Sequence, residues 1–154
     1  NNIIMSILGE GVGGFTESFK TRVVVPFTGS YAEYRHVLTH ELTHAFQYNM
    51  LFDDTSGRQA SHFSIGNIPL WLMEGMSEYL SVGIDETCDM IMRDILFNDH
   101  YATLMDLSMF RIKSGYLLYK EGQSFFYFFE VLLVPGFWVP GVSYVADLFI
   151  QRVN

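Results

Sequence analysis

The stretch His40-Glu41-Leu42-Thr43-His44 has the pattern H-E-x-x-H and lies in a longer segment, residues 31–50, that is predicted to be helical. On a helix, His40 and His44 fall about 40° apart around the axis and one turn apart along it, so both imidazoles can reach one ion. Two neutral imidazoles bind Zn²⁺ at about 2.0–2.1 Å, and the adjacent Glu41 can deprotonate a water that shares the metal. The pattern therefore predicts a zinc site suited to hydrolysis; the alternative is an ordinary helix with two surface histidines.

The residues before this pattern carry a helix-start signal. Ser30 and Glu33 have the spacing of a capping box, in which the serine hydroxyl accepts the glutamate amide and the glutamate side chain returns to the serine amide. The helix is therefore predicted to begin just after Ser30. Residues at helical spacing also predict a buried stripe on a face other than that of the histidines. The stripe consists of Leu38, Leu42, Ala45, Phe46 and Asn49.

The third metal ligand is not expected within the same helix. A metzincin has a glycine three residues after the second histidine and a further histidine three residues beyond that glycine. These two positions hold Gln47 and Met50 in this sequence. We therefore expect the third ligand to come from another segment of the chain.

A second helix is predicted over residues 68–80, where Pro69 suits the first turn. Its expected core anchors are Leu70, Trp71, Leu72 and Tyr79. Glu74 and Glu78 lie four residues apart and therefore on one face of this helix. Two carboxylates on an otherwise apolar helix are costly to bury unless a positive charge lies opposite them. A Zn²⁺ ion with its histidines is one source of that charge.

The remaining segments predict a mostly helical chain with a little strand. Residues 21–26 are rich in β-branched side chains and end in a proline, which predicts an edge strand; such an edge either binds an extended peptide or is an ordinary edge. The glycines of residues 9–14 predict a turn rather than a phosphate loop. Residues 52–66 predict a loop, in which His62 either contacts substrate or is exposed. Further helices are predicted over residues 86–96, 102–110, 116–134 and 143–153.

Composition bounds the class of protein. A chain of 154 residues suits a single domain over residues 1–154. Charged residues make up only 17%, against about 25% in typical domains, so part of the apolar surface is expected to be covered by something outside this chain. A net charge of −8, without a basic run, argues against a nucleic-acid partner or an anionic membrane surface.

Cys88 is the single cysteine, which excludes an internal disulfide, and it is predicted to be a buried thiol.

No transmembrane segment is predicted. The most hydrophobic run, residues 125–134, contains Glu130, ends at Pro135 and is too short to span a bilayer. The sequence has no initiator methionine and no signal-peptide pattern at its start, so we expect any signal peptide to have been removed or to lie outside this sequence.

With both helical segments in view, the sequence resembles the gluzincins, zinc peptidases in which H-E-x-x-H is followed by a glutamate on a second helix. The resemblance is carried by His40-Glu41-Leu42-Thr43-His44 and by Pro69-Leu70-Trp71-Leu72-Met73-Glu74-Gly75-Met76-Ser77-Glu78-Tyr79, which is similar to W-x-x-E-G-x-x-E-Y. The similar core covers roughly residues 20–82. More loosely, residues 23–50 and 119–128 are similar to bacterial peptidase-MA-like proteins that carry a TolB-type β-propeller after the peptidase part.

The resemblance implies an α+β, zincin-like fold with a small mixed or antiparallel sheet, an active-site helix and a helical C-terminal half. It also implies zinc-dependent peptide hydrolysis, in which His40, His44 and Glu74 hold Zn²⁺ and water is the fourth ligand. Glu41 would be the general base, and Glu78 would orient a ligand histidine. The group that stabilises the oxyanion stays open among Tyr119, Tyr116 and His62.

Further expectations follow from the same resemblance. The substrate would be a peptide or protein, and the location would be extracytoplasmic: periplasmic, secreted or at the cell envelope. The chain would be part of a larger protein whose β-propeller begins beyond Asn154. The alternative from another class is a non-catalytic module, in which a zincin fold serves as a scaffold or protein-binding surface.

Overall fold

The computed structural model describes residues 13–17, 22–27, 29–52, 68–109, 111–112 and 114–133. Residue contacts divide the chain into two compact units, Asn1–His62 (the first unit) and Phe63–Asn154 (the second unit). Over the described ranges the fold is mixed α+β and mostly helical, with one small antiparallel sheet. This coarse class agrees with the sequence prediction, whereas the single domain over residues 1–154 stays a prediction.

The sheet of the first unit has two described strands, β1 (Phe15–Glu17) and β2 (Arg22–Val24), which pair antiparallel with Thr16 opposite Val23. The predicted strand over residues 21–26 is thus confirmed at its centre, and Pro26 lies beyond the paired residues. The sequence did not predict β1, because three residues after a run of glycines are too few to show a period of two.

Helix α1 (Tyr31–Phe52) contains the H-E-x-x-H stretch. It begins where the capping signal predicted: the Glu33 amide donates to the Ser30 hydroxyl oxygen at 3.3 Å, and the Tyr34 amide donates to the Ser30 carbonyl at 2.9 Å. A serine at this position satisfies an amide that has no partner within the helix. The local sequence therefore sets the start of α1.

The predicted buried stripe of α1 is wrong. Leu42 and Phe46 are 41% and 68% exposed, whereas Glu41 and His44 are buried. The reason is that these polar side chains have partners: the Thr16 hydroxyl of β1 bonds to Glu41, and Gln47 of the same helix bonds to His44. Hydrophobic spacing alone pointed to a different face of the helix.

The second unit contains four described helices: α2 (Leu70–Val82), α3 (Glu86–Phe97), α4 (Leu104–Ser108) and α5 (Gly115–Leu133). The bounds of each helix lie within two residues of the predicted ones. Two of them begin at side-chain caps: Asp85 accepts the Cys88 amide at the start of α3, and Thr103 accepts the Asp106 amide at the start of α4. The predicted loop at residues 52–66 is wrong at its first residue, since Phe52 ends α1. The rest of that loop, with His62, and the predicted helix at residues 143–153 lie outside the described residues. No described helix has the length and apolar character needed to cross a membrane.

Two glycines allow α2 and α5 to meet backbone to backbone. A Cβ atom on Gly75 would lie 2.4 Å from the carbonyl carbon of Gly122, and a Cβ atom on Gly122 would lie 2.5 Å from the carbonyl oxygen of Trp71. Neither position has room for a side chain. In addition, residues 120–124 of α5 are all buried, so this turn is enclosed on every side.

Two apolar clusters lie beside this crossing. One contains Cys88, Met92 and Ile95, and the other contains Trp71, Leu107 and Leu118. The prediction of a buried thiol is confirmed, and burial raises the pKa of Cys88 to about 12. Trp71 also confirms its predicted anchoring role, since its indole N–H donates to the Ser108 hydroxyl at 3.1 Å. Among the other expected anchors at this end of the helix, Leu72 packs against the cluster that contains Trp71, whereas Leu70 is exposed.

Candidate metal centre

Over the described ranges, histidine and glutamate side chains form groupings that could hold a metal ion. Within the first unit, Nε2 of His40 and Nε2 of His44 lie 3.2 Å apart on α1. Two nitrogens bound tetrahedrally to one zinc ion at about 2.0–2.1 Å are separated by about 3.3 Å. The pair therefore fits two corners of a zinc site. A hydrogen bond between the two rings is the other arrangement compatible with this distance.

The His44 ring is held on its other side by two residues of the same helix. Its Nδ1 lies 2.8 Å from Oε1 of Gln47, and its ring stacks on Tyr48 with the ring planes 16° apart. When Nδ1 carries the proton and donates to Gln47, the lone pair of Nε2 is available for a metal. From the sequence, Gln47 was interpreted only as a departure from the metzincin pattern, although its spacing of three from His44 was the signal for this contact.

A third histidine belongs to the same helical stripe. His36 lies one turn before His40, and the two ring centroids are 6.4 Å apart. Imidazoles at positions 36, 40 and 44 therefore follow one another along α1. His36 was not predicted from the sequence, because the H-E-x-x-H pattern contains only two histidines; the four-residue spacing, extended backwards from His40, was the signal for it.

Glu41 is only 7% exposed and is held by the strand segment before α1. The hydroxyl oxygen of Thr16 lies 2.6 Å from Oε2 of Glu41 and 2.9 Å from its carbonyl oxygen. Gly14 approaches from the same segment, since a Cβ atom at that position would lie 2.8 Å from Oε1 of Glu41. The predicted general base is thus a buried carboxylate with a defined donor on one oxygen.

The two predicted acidic residues of the second unit lie on α2. Glu78 is buried and Glu74 is partly buried. The ammonium of Lys120 donates to Oε1 of Glu78 at 2.8 Å, to Oδ2 of Asp85 at 3.1 Å and to Oε1 of Gln123 at 3.0 Å. Lys120 is therefore a positive charge that offsets the burial of Glu78, and it was not predicted from the sequence.

This cluster of Glu78, Asp85, Lys120 and Gln123, the lysine cluster, joins three helices. Asp85 also accepts the Cys88 amide at the start of α3, and the Gln123 side chain donates to the Gly83 carbonyl at 2.6 Å. Burial lowers the pKa of Lys120, but the hydrogen bonds and charges of Glu78 and Asp85 outweigh it, so the pKa is raised overall. The lysine is accordingly a charged group in this cluster.

The candidates for oxyanion stabilisation differ in their surroundings. Tyr116 is exposed, with its ring centre 5.7 Å from Nζ of Lys120. Tyr119 packs beside the cluster that contains Trp71. His62 lies outside the described residues. The assignment stays open among the three.

Comparison with known proteins adds no relative: neither a family model, nor a curated protein, nor a solved structure matches this chain.

Proposed function

We propose that this protein is a zinc-dependent peptidase of the gluzincin type with a zincin-like fold. The observation that carries the proposal is the pair of Nε2 atoms of His40 and His44, 3.2 Å apart on one helix. The contact between His44 Nδ1 and Gln47 supports it, because it selects the tautomer that a metal requires. The position of Glu41, next in sequence to His40, adds a carboxylate that is not needed as a ligand.

The proposed third ligand is Glu74, which fills the glutamate position of the W-x-x-E-G pattern. Two imidazoles and one carboxylate form a donor set used by catalytic zinc sites, which keep a further position for water. Glu78 is proposed to orient a ligand histidine through one carboxylate oxygen, while Lys120 donates to the other. When bound, the zinc ion supplies a Lewis acid and lowers the pKa of water to about 7.

The proton transfers of the proposed reaction are carried out by Glu41. Glu41 accepts a proton from the attacking water and delivers it to the nitrogen of the leaving amine as the peptide bond breaks. Because Glu41 is buried, its carboxylate interacts more strongly with the charges that develop than it would in water. By resemblance, the substrate is a peptide or protein, the location is extracytoplasmic, and a β-propeller is the partner domain.

The first experiment measures metal content and hydrolysis in the same samples. Protein purified without chelator is expected to hold about one zinc ion per chain and to cleave members of a broad peptide library. Glu41→Gln is expected to keep its zinc and to lose hydrolysis, since Glu41 is proposed as base and not as ligand. Glu33→Gln is the matched control, because Glu33 is an exposed glutamate in the first turn of the same helix.

Each result has a distinct meaning. Loss of zinc in Glu41→Gln would show that Glu41 is a ligand and would refute its role as base. Zinc-free wild-type protein would refute the metal site itself. A wild-type protein that holds zinc but cleaves no peptide would instead establish the alternative of a non-catalytic scaffold or binding module.

A further inference from the structure

We infer that Thr16 is a positioning residue for Glu41: its hydroxyl holds one carboxylate oxygen and leaves the other for the attacking water. This inference rests on the proposed function, in which Glu41 is the general base. It concerns a residue outside both sequence motifs, on a strand that the sequence did not predict. Among the described residues, the hydrogen bonds of Thr16 to the proposed metal site are those to Glu41.

The hydrogen bond itself has the features of a strong one. The Thr16 hydroxyl oxygen lies 2.6 Å from Oε2 of Glu41, and both residues are buried, at 8% and 7% exposure. The hydroxyl has one proton and two acceptors within reach, Oε2 and the Glu41 carbonyl at 2.9 Å. The shorter distance and the charge of the carboxylate favour donation to Oε2. The contact with the Glu41 carbonyl places the Thr16 hydroxyl beside the backbone of Glu41, whose side chain it orients.

The donor is fixed by its place in the sheet. Thr16 is the central residue of β1 and lies opposite Val23, with a strand pair on each side of it. A neighbouring pair is strengthened by the ion pair between Glu17 and Arg22. Because threonine is branched at Cβ, few side-chain rotamers are available to it on a strand. The sheet therefore determines where the hydroxyl points, and the Glu41 carboxylate adapts to it.

The absence of a side chain at Gly14 leaves room for Oε1, the second carboxylate oxygen of Glu41. A Cβ atom at position 14 would lie 2.7 Å from Cγ and 2.8 Å from Oε1 of Glu41. Any side chain there would therefore displace the carboxylate or cover Oε1. With Oε2 occupied by Thr16 and the approach to Oε1 kept clear by glycine, the two oxygens have different roles. Such a fixed orientation lowers the barrier to proton transfer, because the reacting groups need no further alignment.

The first test compares two variants of Thr16 in the full chain with zinc. Thr16→Val keeps the shape but removes the hydroxyl, and we expect kcat to fall about 10- to 100-fold while KM changes less than about twofold. Zinc content should equal that of the wild type. Thr16→Ser keeps the hydroxyl and should restore most of the rate. Ser81→Ala is the matched control, because it removes a partly buried hydroxyl that donates to a helix carbonyl, that of Glu78, in the second unit.

The second test requires neither metal nor hydrolysis. In metal-free protein, Thr16→Val should accelerate amide hydrogen exchange in residues 13–17 and 31–52 about tenfold, the effect expected for loss of one charge-assisted hydrogen bond. Glu41→Met removes the acceptor while keeping the length of the side chain. If the two residues act through one bond, Thr16→Val should produce little further acceleration in the Glu41→Met background.

The two tests separate this inference from the proposed function. Wild-type rates in Thr16→Val, equal losses in Thr16→Ser and Thr16→Val, or loss of zinc in Thr16→Val would each overturn the positioning role while leaving the peptidase proposal intact. Additive exchange effects of Thr16→Val and Glu41→Met would overturn it as well. An inactive wild type would overturn the proposed function, and with it the role of the Thr16–Glu41 hydrogen bond in catalysis. The exchange experiment would still detect the hydrogen bond itself.

Discussion

The ammonium group of Lys120 lies 2.8 Å from a carboxylate oxygen of Glu78, and both side chains are buried. The two residues are 42 positions apart in the sequence, on α5 and α2. An ammonium has three N–H donors, and Lys120 directs them to three oxygens, those of Glu78, Asp85 and Gln123. The cation is therefore fully hydrogen-bonded, which is the condition under which a buried charge is tolerated.

Removing this cation is expected to be strongly destabilising. Lys120→Met keeps much of the length but leaves Glu78 as a buried charge without this partner, and such changes cost about 3–5 kcal/mol of unfolding free energy. Urea unfolding of wild type and variant measures the loss. Arg93→Met is the control, because the Arg93–Asp89 pair at 3.0 Å is largely exposed and should contribute about 0.5 kcal/mol or less. Equal effects of the two substitutions would contradict the prediction.

The same pair predicts a loss of stability in alkali. Burial alone would lower the pKa of Lys120, but Glu78 and Asp85 raise it above the ordinary value of 10.5. A raised pKa in the folded state gives a contribution that is complete below the unfolded value and is lost as the pH rises through the folded value. The stability difference between wild type and Lys120→Met should therefore shrink at alkaline pH, above 10.5. A difference that stays constant through this range would contradict it.

The comparison with Lys120→Met is needed because other groups act in the same direction. Burial and the hydrogen bond to Glu130 raise the pKa of the Tyr79 hydroxyl, so its ionisation also favours the unfolded chain in alkali. This contribution is present in both proteins and cancels in their difference. Urea midpoints for the two proteins, measured in parallel across the alkaline range, isolate the lysine.

At the point where α2 and α5 cross at two glycines, substitution of glycine by alanine is expected to lower stability, unlike the same substitution at an open position. Gly75→Ala would push a methyl group into the backbone of Gly122, and we expect a loss of about 1–3 kcal/mol or more from overpacking. Gly115→Ala is the control, since a Cβ atom there meets nothing within 4 Å, and it should be neutral or slightly stabilising. Thermal unfolding of both variants distinguishes these outcomes. A neutral Gly75→Ala would show that the two backbones do not touch.

The two acidic residues of α2 should differ in their effect on zinc. Glu74→Gln removes a proposed ligand, so it should weaken zinc binding far more than Glu78→Gln does. Glu78→Gln is expected to lower zinc affinity about 10–100-fold. A competitive zinc titration measures both, with circular dichroism to confirm that each variant is folded. If Glu78→Gln loses the metal and Glu74→Gln retains it, the two roles are exchanged and the motif alignment is wrong by one turn.

Gln47 should matter for zinc although it is not a ligand. Gln47→Met removes the acceptor for Nδ1 of His44 and is expected to lower zinc affinity about 10–100-fold, because the ring loses its preferred tautomer and orientation. Asn49→Ala, on an exposed side of the same helix, should leave the affinity unchanged. An unchanged affinity in Gln47→Met would show that the ring is oriented by other contacts.

Local signals in the sequence predicted local structure well. Ser30 with Glu33 predicted the start of α1, and Pro69 predicted the start of α2 to within about a residue, because capping depends on neighbours in the sequence. The burial of Cys88 followed from its apolar neighbours. The histidine pair could likewise be predicted, since the spacing of His40 and His44 fixes their separation once the helix forms.

Relationships between distant residues could not be predicted in this way. Nothing near Glu78 in the sequence indicates that Lys120 is its partner, and nothing near Glu41 indicates Thr16. Both contacts depend on the tertiary packing of segments that are far apart in the sequence. Local patterns in a single sequence do not show which distant segments pack together. For the same reason the stripe containing Leu42 was assigned to the wrong side of α1.

The enclosed turn at residues 120–124 has a consequence for the protein's tolerance of mutation. An ordinary surface helix has an outward side on which almost any residue is accepted, whereas every position of this turn is buried. Its charged and polar side chains are also committed to particular partners, as with Lys120 and Gln123. In a saturation mutagenesis library, this turn should therefore appear as an unbroken block of intolerant positions, without the three- to four-residue rhythm that marks an amphipathic helix.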